Sequence, residues 1–178
     1  MSAPSSPNHP TVTRIEISKE YLHFSSAHFT IFSATEREDL HGHNFYVTAT
    51  VTAPVGDNGL AFDYNLLKDK LKVLCDELDE KVLLPEHSPH LNLHEADGYV
   101  IASFADEKIP FLPRDVLRLP LRNIAVEELA PWFLDRLKAD PDIAALDLVE
   151  LLLRVSSGPG QWAGATWSNA ATNIGAQS

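Results

Sequence analysis

Three histidines in the stretch FSSAHFTIFSATEREDLHGHNFYVTATV, residues 24–51, stand at a spacing that fits one metal ion: His28, His41 and His43. Read as strand, loop and strand, the stretch puts His41 and His43 on one face, because side chains alternate at period two along a strand. His28 closes the preceding extended run and reaches the same point when the two runs pair as neighbours. Three imidazoles with no fourth protein ligand leave one coordination position open, the pattern of catalytic rather than structural zinc. A substrate oxygen would occupy that position. A His-x-His pair alone is most often two ordinary strand side chains; His28, at the end of an extended run, is what adds weight. His9, His23, His87, His90 and His94 lack such spacing and read as solvated or structural. Immediately before the pair runs Glu36, Arg37, Glu38 and Asp39. Such a charge run is usually a solvated loop, but this one sets carboxylates beside the candidate metal.

The elements that must position these residues follow from pattern. Residues 12–29, with Ile15, Ile17, Tyr21, Leu22 and Phe24, and residues 44–55, with Phe45, Val47, Ala49 and Val51, read as a first strand pair, the former with imperfect alternation. Asp63 is a candidate N-cap for a helix over residues 64–78, whose Leu67, Leu71, Leu74 and Leu78 form one buried stripe. Residues 84–97, with two prolines and three histidines, read as loop, and residues 99–104, 109–112 and 116–119 as short strands kept to edges or turns by Pro110, Pro113 and Pro120. A second helix opens after the candidate cap Asn123, with Glu127 and Glu128 suiting its dipole and Pro131 inside it. Residues 147–155 and 161–167 read as a last strand pair. The order predicts an α+β fold, an antiparallel four-stranded sheet with both helices on one face and a small β insert at about residues 84–122. Open sheet edges favour self-association.

Composition sets the limits. A chain of 178 residues that is 44% hydrophobic suits one domain, over residues 14–167, flanked by a disordered leader (residues 1–13) and a flexible tail (residues 168–178). The net charge of −11, without a Lys/Arg cluster, argues against nucleic acid and anionic lipid as partners. The single cysteine, Cys75, excludes an internal disulfide and suits a reducing, cytoplasmic setting; no apolar run has the length of a membrane span. Cys75 reads as a helix residue without chemical consequence.

With Phe24-Ser25-Ser26-Ala27-His28, Leu40 to Phe45, Gly59 to Asp63, Leu78-Asp79 and Asn123 to Ala130 in view, the chain resembles the family of 6-pyruvoyltetrahydropterin synthase and 6-carboxytetrahydropterin synthase, over about residues 15–167. The resemblance implies the tunnelling fold, in which subunit sheets join into a barrel, commonly a hexamer. It implies zinc at His28, His41 and His43, and a small-molecule substrate, 7,8-dihydroneopterin triphosphate or a related polyol phosphate or heterocycle. Zinc on the side-chain hydroxyls acidifies a neighbouring C–H, and a general base removes the proton.

Several positions depart from the family pattern. No cysteine precedes the His-Gly-His motif, so Glu38, with Glu36 as runner-up, stands as the substitute base. Asp79 is retained, but Glu80 follows it in place of the relay histidine. Ile124 and Ala125 replace threonines that hold the pterin, and the ring-anchoring glutamate falls near Val155 or Ser156, leaving Ser156 as the polar candidate. Arg37 could hold a phosphate bidentately or be a solvated loop residue. Two readings result: a zinc-dependent lyase of this family, and a divergent zinc-binding protein with a non-pterin substrate or a non-catalytic binding or scaffold role.

Overall fold

A computed structural model describes residues 11–169. The expected leader and tail lie outside these residues except at their inner ends, where Val12 and Thr13 already belong to the first strand and Ser168 to the last. The described chain runs β1 (Val12–His28), β2 (His41–Pro54), α1 (Asn65–Leu78), β3 (Lys81–Pro85), β4 (Leu91–Ala96), β5 (Tyr99–Phe104), β6 (Glu107–Phe111), a 3₁₀ turn (Pro113–Asp115), β7 (Val116–Leu119), α2 (Val126–Ala139), α3 (Pro141–Ala144), β8 (Glu150–Gly158) and β9 (Gln161–Ser168). None of its helices is long and apolar enough to cross a membrane.

The expected antiparallel four, β1-β2-β8-β9, form the body of a sheet whose full order is β7-β3-β1-β2-β8-β9. β3 and β7 extend it with parallel pairs, and β4-β5-β6 make a separate antiparallel sheet. Residues 84–97 are therefore not a loop: they hold the end of β3 and all of β4. Leu91 and Leu93 of β4 face Phe104 and Ala102 of β5, an alternation that the intervening His, Asn and Glu residues hide in the sequence.

The imperfect alternation of β1 has a structural cause. The register slips between Ser18, opposite Thr48, and His23, opposite Tyr46. Extra residues on β1 make a bulge, which shifts the inward-facing set from Ile17 to Leu22 and Phe24. Downstream of it the inward face carries Phe24, Ser26 and His28, paired with Phe45, His43 and His41 on β2. Both helices cover this face. Leu67, Leu71, Leu74 and Leu78 of α1 and Leu129, Ala130, Phe133, Leu134 and Leu137 of α2 share one buried cluster with Phe24, Phe45, Val47, Val51, Leu151 and Leu153 of the sheet. A second cluster, with Phe29, Ile31, Leu84, Val100 and Phe104, joins the β1–β2 connection to the three-stranded sheet.

Helix starts depart from expectation by a residue or two. The Asp63 carboxylate accepts the Asn65 N–H at 3.0 Å, capping α1 with Tyr64 in the cap position itself. α2 begins at Val126 after an uncapped Ala125, because the Asn123 amide is spent elsewhere; Pro131 lies inside the helix on its exposed side.

Candidate metal centre and active site

The site stands at the end of the inward-facing ladder between β1 and β2. Phe24 stacks on Phe45 with ring centroids 4.8 Å apart, Ser26 then faces His43, and His28 faces His41. Cross-strand neighbours on one face lie within side-chain reach. Their potential ligand atoms all fall within 4.8 Å of one another, and His41 Nε2 is 3.0 Å from His43 Nε2. His41 Nδ1–H donates to the Asp39 carbonyl at 2.8 Å, which leaves Nε2 with its lone pair aimed inward.

The environment of His28 suits a metal ligand. It is 5% exposed, and neither ring nitrogen makes a hydrogen bond of good geometry among the described residues, the Ile124 backbone giving only a weaker polar contact that favours the protonated ring. A buried imidazole so poorly satisfied is costly, and coordination would use one of its nitrogens. Burial first, then the neighbouring His41 and His43, lower its pKa to about 4, so the ring is neutral and ready to ligate near neutral pH. His43 is also lowered, by burial first and then by His41, against an opposing pull from Glu38.

Glu38 stands beside the triad. Its Oε2 is 3.8 Å from His41 Nε2 and accepts the Thr30 N–H at 3.0 Å. Burial pulls its pKa upward, but the bonds from Thr30 and the nearby His41 and His28 outweigh this and hold it below the ordinary value. It is thus a carboxylate able to accept a proton. The segment carrying it folds back on itself: Glu38 N–H donates to the Thr30 carbonyl at 2.8 Å, and Ile31 bridges Arg37. Asn123 grips this segment with two bonds of strand-like form, accepting from Ile31 N–H at 3.1 Å and donating to the Ile31 carbonyl at 2.9 Å.

These groups open into a cavity of roughly 620 Å³ lined by His28, His41, His43, Glu38, Thr30 and Asn123, and on its other walls by the start of α2, by Ser157 near the end of β8 and by Gln161 at the start of β9. Glu127 and Glu128, read from the sequence only as dipole partners of α2, line it too, with Glu128 paired to Arg122. Ser157 and Gln161 carried no signal in the sequence; proximity to the turn at Gly160 was the one available hint.

Other candidates lie outside this cavity. Glu36 is exposed at the tip of its turn, its carbonyl accepting from Phe32 and Ser33. Arg37 is neither solvated nor aimed at the cavity, being paired with Glu107. The Ser156 hydroxyl is buried and closed onto Gly158. Asp79 accepts the Ser25 N–H at 2.7 Å, and Glu80, at φ 58°, lines a different depression beside Ser25, Gly42 and Asn44. Cys75 is buried in the helix–sheet core, its thiol pushed up to about 12 chiefly by burial, as befits a residue without chemistry.

A model of the 6-pyruvoyl tetrahydropterin synthase family matches residues 16–166. The chain belongs to that family. A Methanocaldococcus jannaschii protein described as a candidate 6-carboxy-5,6,7,8-tetrahydropterin synthase is 32% identical over 122 residues, 66% of this chain and 74% of its own length. Among solved structures, the 6-pyruvoyl tetrahydropterin synthase of Plasmodium vivax superposes with a TM-score of 0.84 at 26% identity, covering 89% of this chain and 99% of its own. That of Plasmodium falciparum gives 0.83 at 27% identity, with the same coverage. The tunnelling fold expected from the sequence is thus the fold of the family, and the chain is a divergent member. The P. vivax protein has also been solved with a glutamate, designated a catalytic residue, replaced by alanine or by cysteine.

Proposed function

We propose that this protein is a zinc-dependent carbon–oxygen lyase of the tetrahydropterin synthase type, acting on 7,8-dihydroneopterin triphosphate or a related polyol-bearing heterocycle. The observation that carries the reading is a carboxylate, Glu38, held 3.8 Å from a ligand atom of the three-histidine cluster inside one cavity. His28, His41 and His43 would hold the ion, and the poorly satisfied nitrogens of His28 fit that role. When bound, zinc supplies the positive charge that acidifies a C–H next to a substrate oxygen.

The residues of the chain do the rest. Thr30 N–H holds Glu38 Oε2, which leaves Oε1 to take the carbon-bound proton. The Asp39 carbonyl fixes the His41 tautomer. Ser157 and Gln161 offer neutral hydrogen-bonding groups around the substrate. Glu36 is exposed and does not line the cavity, whereas Glu38 does, so Glu38 is assigned as the base. The designation of a catalytic glutamate in the P. vivax relative supports a carboxylate in this role. Asp79 and Glu80 lie outside the cavity of their own chain, so a relay through them requires self-association, with a hexameric barrel as the family precedent implied by the resemblance. A reducing, cytoplasmic setting agrees with the free Cys75.

One observation favours the second reading, a non-pterin substrate or a binding role. At the position expected for a ring-anchoring carboxylate, Val155 is in the core and Ser156 is closed onto Gly158. Incubating zinc-loaded protein with 7,8-dihydroneopterin triphosphate, and following triphosphate and pterin products by mass spectrometry, separates the two. Zinc-dependent triphosphate release that Glu38→Gln abolishes is the expected result. No turnover with one zinc per chain would transfer the assignment to the second reading.

A further inference from the structure

Arg37 is the member of the charged run that the proposed chemistry leaves unused, yet its side chain is only 14% exposed. Nε donates to Glu107 Oε2 at 3.0 Å, and Nη2 donates to the same oxygen. Nη1 donates to the Glu38 main-chain carbonyl at 2.8 Å. The guanidinium carbon stands 5.1 Å from the Phe29 ring centroid and 5.8 Å from that of Phe104. Glu107 opens β6 directly opposite Phe104 of β5, so one side of this assembly is the β4-β5-β6 sheet and the other is the segment that carries Glu38.

Three plainer roles account for less. An arginine kept for phosphate would present its fork to the cavity, whereas this fork is occupied by Glu107 and Arg37 does not line the cavity. A solvated loop arginine would not be stacked between two phenylalanines. A simple ion pair with Glu107, whose side chain is 57% exposed, would contribute little stability and would need no donor on the Glu38 carbonyl. What the arrangement supplies is orientation: a rigid planar fork ties the Glu38 backbone to the insert sheet while Thr30 holds its carboxylate and Asn123 grips Ile31.

We propose that Arg37 is a positioning residue, through which the β4-β5-β6 sheet acts as the buttress that holds Glu38 at the histidine cavity. The inference rests on the assignment of Glu38 as base, and it gives the insert sheet a task in the reaction. A small displacement of a reacting group is enough to matter, since an error of about 1 Å costs on the order of 100-fold in rate.

The test uses full-length, zinc-loaded protein with two readouts. The first is kcat and KM on 7,8-dihydroneopterin triphosphate. The second, made without substrate, is hydrogen exchange at the Glu38 amide, which is bonded to the Thr30 carbonyl. Arg37→Lys keeps the charge but loses the fork. It is expected to lower kcat roughly 10- to 100-fold at unchanged KM and zinc content, and to speed exchange at Glu38 by about 10-fold or more. Glu107→Ala should act in the same way, and it covers the case in which Arg37→Lys does not fold. Glu107→Gln should rescue most of kcat, because one amide oxygen can accept both Nε and Nη2. A raised KM at intact kcat would make Arg37 a substrate contact and overturn the inference. So would unchanged exchange at Glu38 in Arg37→Lys and Glu107→Ala. If exchange responds as expected while the wild type turns nothing over, the brace is upheld and the proposed reaction is what fails.

Discussion

Without a bound metal the protein should be sensitive to mild acid, and the size of the His28 contribution can be worked out. In the fold His28 has a pKa lowered to about 4 from 6.5. As pH falls below the unfolded value, the unfolded chain takes up a proton that the folded chain refuses. Stability therefore rises with pH between the two values and is lost as pH falls through that window. From about pH 7.5 down to about pH 4.5 the loss is on the order of 2 to 3 kcal/mol, using ~1.4 kcal/mol per unit. This is a large share of the roughly 5–15 kcal/mol that holds a typical domain together. His43 and Glu38 are also lowered and pull the same way, so the His28 contribution has to be isolated by difference. The assay is urea unfolding of zinc-free wild type and zinc-free His28→Leu across this range, at fixed protomer concentration because association also adds stability. Leu fits the apolar surroundings of Phe45 without titrating. The gap between the two proteins should shift by on the order of 2 to 3 kcal/mol in favour of the variant at the acid end. A gap that stays constant with pH would refute the claim that burial keeps His28 neutral, and with it the account of a preformed ligand.

Two further outcomes follow from the core beneath the site. Phe45→Ala removes a fully buried ring that stacks on Phe24 and meets His28 and His43 edge-on; it should cost about 3–5 kcal/mol in thermal or urea unfolding and weaken zinc retention against a chelator in parallel. Cys75, with its thiol pushed up to about 12 and no surface exposure, should resist iodoacetamide in the folded protein near neutral pH and react only after unfolding, as mass spectrometry would show.

Much of the site was legible because its signals are local. His41 and His43 share a face by period two, and His28 closes a run whose apolar content marks it as a strand. The bulge after Ser18 was legible only as a broken alternation, since neither its position nor its partner Thr48 can be read from one strand. β3 and β4 were missed for another reason: Pro85, His90 and His94 look like loop residues, and the apolar partners that make these segments strands, Leu119 on β7 and Phe104 on β5, are remote in the chain. Asn123 has the composition of a cap, but its two bonds go to Ile31, 92 positions away. Arg37 meets Glu107 at a separation of 70. No local propensity encodes such pairings; they appear only when the insert packs on the β1–β2 connection.

The division of labour between the strands and their connection bears on how this scaffold diversifies. The three imidazoles are set by backbone pairing in a ladder that continues into the helix–sheet core, whereas Glu38 rides on a turn closed by its own Thr30 bond and Ile31–Arg37 bridge. Exchanging the turn would replace the proposed proton acceptor while leaving the histidine ladder in place. Changing the histidine cluster would require rebuilding two strands at once.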